Sequence, residues 1–203
     1  MAIPTSQAVK CADRILNLNP TLHRLSGRHI GIVGVHAELW SGLAFRLDLR
    51  DTGVASGHDA VTTQNSPDPF APGQSVQIKG RARDTIHVTF RPAGVDWLIV
   101  VAYKPLENPV VHSAFVIRTE DLVRLARDFE SEFGEQAHPV RFWKKDGLIR
   151  LEWWELFETE RTGAVGGSND TWEARRKRSV RVLKKMYLWK RGVFLPVPHG
   201  FTF

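Results

Sequence analysis

Residues 94–104, GVDWLIVVAYK, decide the fold class of this chain. Every side chain from Trp97 to Tyr103 is apolar or aromatic, and Ile and Val occupy the centre of the run. A continuous run of this kind is typical of a strand in a sheet that is covered on both faces. It is far too short to span a bilayer, so we predict a central strand and no membrane association.

The flanking segments predict helices and further strands. The segment 29–49 has helical apolar spacing and carries Glu38, with the small residues Ser41 and Gly42 one turn further on. Helices are also expected at 13–19, ending near Pro20, at 119–133 with Thr119 as N-cap, and at 171–191. Strands are expected at 58–63, 75–80 and 111–118, and as a hairpin over 141–156 that turns at Asp146-Gly147. This order predicts a mixed α/β fold around a central sheet.

The composition places the chain among soluble proteins of a reducing compartment. Hydrophobic residues make up 42% and charged residues 25% of the 203 positions, an ordinary globular balance. The single cysteine, Cys11, excludes an internal disulfide framework and a cysteine-based zinc cluster. The first residues are too polar for a signal peptide, so we expect a cytoplasmic protein.

The charge is concentrated near the C-terminus. From Thr171 onward the sequence has nine Lys and Arg residues and one acid, Glu173, so this segment has a net charge of +8. Since the whole chain has a net charge of +6, the first 170 residues have a net charge of −2. We predict a core at 1–160 and a basic helical extension at 161–203 packed on it, after a flexible connector at 160–170. Such asymmetry indicates a polyanionic partner, although a solvated helix face would have the same sequence. Arg175, Arg178 and Lys185 would track phosphates from one side of the helix, while Val182, Leu183 and Met186 pack inward.

A hairpin at 57–80, GHDAVTTQNSPDPFAPGQSVQIKG, brings three polar side chains together. Gln77 and Lys79 share one face of their strand, and Asp59 opens the strand before it. A carboxylate, an amide oxygen and a main-chain carbonyl suit Mg²⁺, and an ammonium beside them can orient a metal-activated water. Asp68 is the competing acid, but it lies between two prolines in the loop, so we favour Asp59.

These residues resemble a known superfamily. Asp59 followed by QIK at 77–79 is similar to the core of the PD-(D/E)XK nucleases, in the glutamine variant of Mrr-like endonucleases. The resemblance covers about 28–125 and implies a restriction-endonuclease-like fold, with a central mixed sheet flanked by helices. It implies a Mg²⁺- or Mn²⁺-dependent endonuclease with Asp59, Gln77 and Glu38 at the metal and Lys79 at the water.

The partner implied is nucleic acid, with DNA favoured over RNA, and a homodimer would cut two strands. Arg81 and Arg83, just after Lys79, would reach phosphates near the cleaved bond. Glutamine in place of an acid weakens the metal site, which leaves open a catalytically inactive nucleic-acid-binding module. An unrelated α/β protein that mimics the pattern is a third possibility. The tryptophans at 153–154, 172 and 189 suit either base stacking or the core.

Overall fold

The computed structural model describes residues 4–26, 32–50, 57–82, 87–104, 111–134, 138–143, 147–152, 156, 172–190 and 193–197. Within these, the helices are α1 (Ser6–Ser26), α2 (Val33–Ala44), α3 (Thr119–Phe133) and α4 (Trp172–Leu183). The strands are β1 (Leu47–Leu49), β2 (Ala60–Thr62), β3 (Ser75–Ala82), β4 (Val88–Phe90), β5 (Trp97–Lys104), β6 (Val111–Arg118), β7 (Val140–Trp143), β8 (Leu148–Leu151), β9 (Tyr187–Lys190) and β10 (Val193–Pro196). The protein is mixed α/β, as the sequence predicts.

A seven-stranded mixed sheet forms the centre, in the order β1-β2-β3-β5-β6-β9-β10. Strands β3 and β5 are parallel, and the other neighbouring pairs are antiparallel. Strand β4 lies between β3 and β5 in the chain and belongs to a separate three-stranded sheet, β4-β8-β7. The segment beyond residue 160 supplies β9 and β10, so part of the basic extension lies in the central sheet.

Two cores cover the two faces of β5. The α2-side core contains Ile99, Val101 and Tyr103 of β5 together with Ile78 of β3 and residues of α1, α2 and β1. The α3-side core contains Leu98, Val100 and Ala102 together with residues of α3, α4 and the three-stranded sheet. This two-sided burial confirms the prediction made from the apolar run.

Several predicted boundaries are wrong. The helix at 29–49 ends at Ala44, and Leu47 lies in β1. The first helix runs through Pro20 to Ser26, and the last one ends at Leu183 so that Tyr187–Lys190 form β9. The N-cap of α3 is Arg118, and Thr119 is a buried first helical residue. The predicted hairpin turn is confirmed at Gly147, whose φ is +64°, while Asp146 and the connector at 160–170 lie outside the described residues.

Aromatic residues fill the α2-side core beneath β1 and β9. Phe45 contacts the rings of Trp40, Phe70, Trp189 and Phe194 at centroid distances between 4.9 and 6.0 Å. Trp189 is therefore part of the packed interior. Trp153 and Trp154 lie outside the described residues, and the Trp172 side chain is not described.

In the part of the chain that the structure describes, no helix combines the length and apolarity needed to cross a membrane.

Candidate functional site

The candidate site lies where β2 joins β3, and we call Asp59, Ala60, Val76, Gln77 and Ile78 the β2–β3 junction. Ala60 is the register partner of Val76, yet the Asp59 N–H also donates to the Val76 carbonyl at 2.9 Å. Two residues thus oppose one, which is the arrangement of a β-bulge. Bulges re-aim side chains, and here the bulge turns Asp59 toward the part of β3 that continues beyond β2.

Asp59 holds the junction together through its carboxylate. Its Oδ2 accepts a hydrogen bond from Gln77 Nε2 at 2.5 Å and another from the Ile78 main-chain N–H at 2.6 Å. The carboxylate therefore supplies the acceptor that the Ile78 N–H would otherwise find in the main chain of a neighbouring strand. Since two oxygens would repel each other, the amide nitrogen of Gln77 faces Asp59, and its oxygen is left for another partner. The predicted contact between the acid and the amide is present.

Lys79 shares the strand face of Gln77. Their register partners on β5 are Val100 and Leu98, both in the α3-side core, whereas Ile78 between them packs in the α2-side core. Gln77 is 8% exposed, and Lys79 is half-buried. The Lys79 ammonium and the Gln77 amide therefore lie on the same face of β3, as the strand alternation predicts.

Glu38 reaches the same place from α2. Burial raises the pKa of the Glu38 carboxyl, the negative charge of Asp59 raises it further, and the positive charge of Lys79 opposes the shift. The three charges therefore lie within electrostatic range of one another. Because the folded pKa is raised, Glu38 stabilises the fold below its ordinary pKa, and this contribution is lost as the pH rises through the raised value.

Close contacts fix α2 over the sheet. A Cβ on Gly80 would lie 2.5 Å from the Val33 carbonyl oxygen, so the start of the helix rests directly on β3. A Cβ on Gly42 would lie 2.8 Å from Pro4. The space that Ser41 and Gly42 were expected to leave beside Glu38 is thus filled at Gly42 by the chain before α1.

A buried polar chain ties α2 to its neighbours. His36 Nε2 lies 2.7 Å from Asp13 Oδ1, and His36 Nδ1 lies 2.6 Å from the Tyr103 hydroxyl. The carboxylate requires a donor, so Nε2 carries the hydrogen and Nδ1 accepts from the hydroxyl. Burial raises the pKa of the Tyr103 hydroxyl, and the negative charge of Asp13 raises it further, so the hydroxyl keeps its hydrogen. His36 therefore positions the helix that carries Glu38.

The predicted metal site has a suitable but small set of ligands. Asp59, Glu38 and the amide oxygen of Gln77 offer hard oxygen atoms of the kind that Mg²⁺ prefers. Among the described residues, no three His, Cys, Asp or Glu side chains are grouped to hold a metal ion. A cation here would have two carboxylates at most, and phosphate oxygens of a substrate would have to complete its shell.

The arginines after Lys79 are only partly described. Arg81 Nη1 donates to the Gly80 carbonyl at 3.2 Å, and burial lowers the pKa of its guanidinium. Arg83 lies outside the described residues. Asp68, the competing acid, is exposed in the turn between β2 and β3.

The basic helix differs from its prediction. Val182, Leu183 and Met186 pack in the α3-side core as expected. Arg178 is 3% exposed and lies 5.0 Å from the Phe133 ring, so it does not face solvent as a phosphate ligand would. Lys185 follows the helix end, 3.9 Å from Asp121, and Arg175 is half-buried. The charged side chains that α4 and the following turn do expose are Glu173, Arg176, Lys177, Lys184 and Lys185, so Lys185 is exposed as predicted.

Sequence reasoning missed Arg50. Its N–H donates to the Asp59 carbonyl at 2.9 Å, which places it directly beside the junction. The alternation of Leu47, Asp48, Leu49 and Arg50 would have indicated a strand, but the helical spacing of the preceding apolar residues concealed it.

Searches against protein-family models and curated proteins found no match to this chain.

Proposed function

We propose that the β2–β3 junction is the catalytic site of a divalent-metal-dependent endonuclease with a restriction-endonuclease-like fold. The observation that carries the proposal is the Asp59 carboxylate, which Gln77 Nε2 and the Ile78 N–H both contact. It brings the acid to the amide of Gln77, which lies two residues before the ammonium of Lys79 on the same strand face. The order of elements along the chain is also the one that the resemblance implies: first the helix with Glu38, then β2 and β3, then the apolar β5.

Each side chain has a role in phosphodiester hydrolysis. Asp59, Gln77 and Glu38 would hold Mg²⁺ or Mn²⁺, which polarises the phosphate and acidifies a bound water when present. The half-buried Lys79 ammonium would orient that water and offset charge that develops on the phosphate oxygens.

DNA is the proposed substrate, and the chain would act in the cytoplasm as a homodimer. The basic surface at Arg176, Lys177 and Lys184 supports a polyanionic partner, and the free thiol of the single Cys11 is compatible with a reducing compartment. Two copies of the site would be needed to cut both strands of a duplex.

One observation favours a second function, a nucleic-acid-binding module without catalysis. The Gln77 amide donates directly to Asp59, and this hydrogen bond holds the junction without a cation. A carboxylate in that position would need a cation or a shared proton between the two acids.

A cleavage assay separates the two functions. The full chain is incubated with plasmid DNA, single-stranded DNA and RNA in Mg²⁺, Mn²⁺ or EDTA. We expect metal-dependent cleavage that Lys79→Ala and Asp59→Asn abolish and that Asp68→Asn retains. Cleavage that survives Lys79→Ala contradicts the proposed site. If cleavage is lost in Asp68→Asn but not in Asp59→Asn, the metal ligand is Asp68 and the proposed assignment is wrong.

A further inference from the structure

Two arginines near the junction carry buried guanidinium nitrogens without partners. Arg50 follows β1 and Arg81 lies in β3, and the Nε atom of each is buried with no hydrogen-bond acceptor among the described residues. Leaving a buried donor of a charged group unsatisfied is unfavourable. Such a group calls for an explanation, and one explanation is a ligand that supplies the missing acceptor.

Both side chains are on the face of the sheet that carries Lys79. Leu49 packs in the α2-side core, so alternation along β1 directs Arg50 to the opposite face. Arg81 is two residues beyond Lys79 on β3, about 7 Å along the strand, and shares its face. Arg50 lies beyond Asp59 on the other side, so the two guanidinium groups bracket Asp59 and Lys79.

No acid among the described residues forms an ion pair with either arginine. Asp48 shares the face of Arg50, but its buried Oδ1 likewise has no partner within the described ranges. Within the described part of the chain, the Arg81 guanidinium donates to the carbonyl of its own neighbour, Gly80. A planar guanidinium with open donors binds phosphate oxygens, often through two parallel hydrogen bonds.

We propose that Arg50 and Arg81 bind two backbone phosphates of a nucleic acid, one on each side of the bond that lies over Asp59 and Lys79. The identity of the central site rests on the proposed function, but the phosphate contacts need no cleavage. Arg50 would hold the strand on the β1 side, and Arg81 would hold it beyond Lys79.

Binding of DNA in a salt series tests this inference. The probes are a short fluorescein-labelled DNA duplex and its labelled strand alone. The protein is the full chain carrying Lys79→Ala, in EDTA so that no cleavage occurs, and binding is measured by fluorescence anisotropy. Arg50→Met and Arg81→Met should each weaken binding about tenfold. Each should also lower the slope of log affinity against log salt by about 1, because one phosphate contact is lost. Arg127→Met, an exposed arginine on α3, is the control and should bind as the parent does.

Thermal unfolding distinguishes a ligand contact from a structural role. Removing an unsatisfied buried guanidinium should leave the Tm of the free protein unchanged or higher while affinity falls. A structural role would lower the Tm and leave the salt slope unchanged, and that result would overturn the inference. Arg50→Lys and Arg81→Lys keep the positive charge but lose the two parallel donors of the guanidinium. Their affinity for DNA should lie between those of the parent and the Met variants. If the Met variants do not fold, parent-like affinity and slope in these Lys variants overturn the inference.

The two proposals fail in different ways. If the wild-type chain cleaves nothing but the Met variants lose affinity, the phosphate contacts stand and catalysis is rejected. If the chain cleaves through Lys79 but Arg50→Met and Arg81→Met bind like Arg127→Met, the nuclease stands and this inference is overturned.

Discussion

The arginines beside the β2–β3 junction and those of helix α4 differ in whether acids of the protein pair with them. Along α4, Arg181 makes two hydrogen bonds to Glu132, at 2.6 and 2.9 Å, and Arg178 lies against the Phe133 ring. At the junction, the buried Nε atoms of Arg50 and Arg81 have no acceptor among the described residues. The segment with the highest charge density is thus partly neutralised by acids of α3, whereas neither Arg50 nor Arg81 forms an ion pair with an acid in the described part of the chain.

Helix α3 causes this difference. Its acids Asp121, Asp128 and Glu132 line the side that meets α4 and the turn after it. The hydrogen bonds from Arg181 lower the pKa of Glu132, so this pair favours the folded state above the ordinary glutamate pKa and loses its effect as the pH falls. A count of basic residues therefore overstates the charge that α4 offers to a partner.

Gly80→Ala should have the largest effect, because it pushes α2 away from β3 beside the junction without removing a charge. The added Cβ would lie 2.5 Å from the backbone oxygen of Val33, which a side-chain rotation cannot relieve. We expect a loss of about 3 kcal/mol in unfolding free energy, measured by urea denaturation. Helix α2 would move away from β3, so Glu38 would also lose its place near Asp59 and Lys79.

Gly34→Ala, on the helix that rests on Gly80, is the matched control. A Cβ there meets nothing within 4 Å, and alanine favours a helix by up to about 1 kcal/mol over glycine. The two variants should therefore shift stability in opposite directions. Equal, small effects would mean that α2 is not held on β3 at Gly80.

The elements that sequence could predict are those whose pattern is local. Strand β5 follows from a continuous apolar run, and the β2–β3 hairpin follows from two alternating runs around a loop of prolines. Strand β1 was missed because Leu39, Leu43 and Leu47 keep helical spacing across the helix end. Arg46, with a φ of +53°, turns the chain there, and β1 forms because β2 is beside it. Such pairing depends on tertiary contacts that sequence spacing does not contain.

The same distinction applies to the candidate site. Alternation along one strand placed Gln77 and Lys79 correctly, and the hairpin brought Asp59 to them. The orientation of Arg178 could not be predicted, because it depends on Phe133 of a helix far away in the chain. Arg50 became visible only once β1 was known.

Gln77→Glu should have an intermediate effect and tests whether the junction can hold a cation. It would place a second carboxylate where the Gln77 amide now contacts Asp59 at 2.5 Å. In EDTA the repulsion should cost about 2 kcal/mol of stability at neutral pH. Mg²⁺ should restore much of the loss, because two acids and Glu38 then form a stronger oxygen site. Thermal unfolding with and without Mg²⁺ measures both effects.

Gln77→Leu controls for the lost hydrogen bond. It removes the amide without adding charge, so its Tm should not respond to Mg²⁺. A Gln77→Glu variant that gains nothing from Mg²⁺ would argue against any cation at the junction and favour the binding module without catalysis.

The smallest effect is expected on α4, where neighbouring residues separate stability from binding. Arg178→Ala should cost about 1 kcal/mol, because it removes a buried contact with Phe133, but it should leave the salt dependence of DNA binding unchanged. Lys177 is exposed on the other side of the helix, so Lys177→Ala should leave stability within about 0.5 kcal/mol and reduce the salt slope. If Arg178→Ala changed the slope and Lys177→Ala did not, the buried side of α4 would have to open toward nucleic acid, and the contrast with the junction would fail.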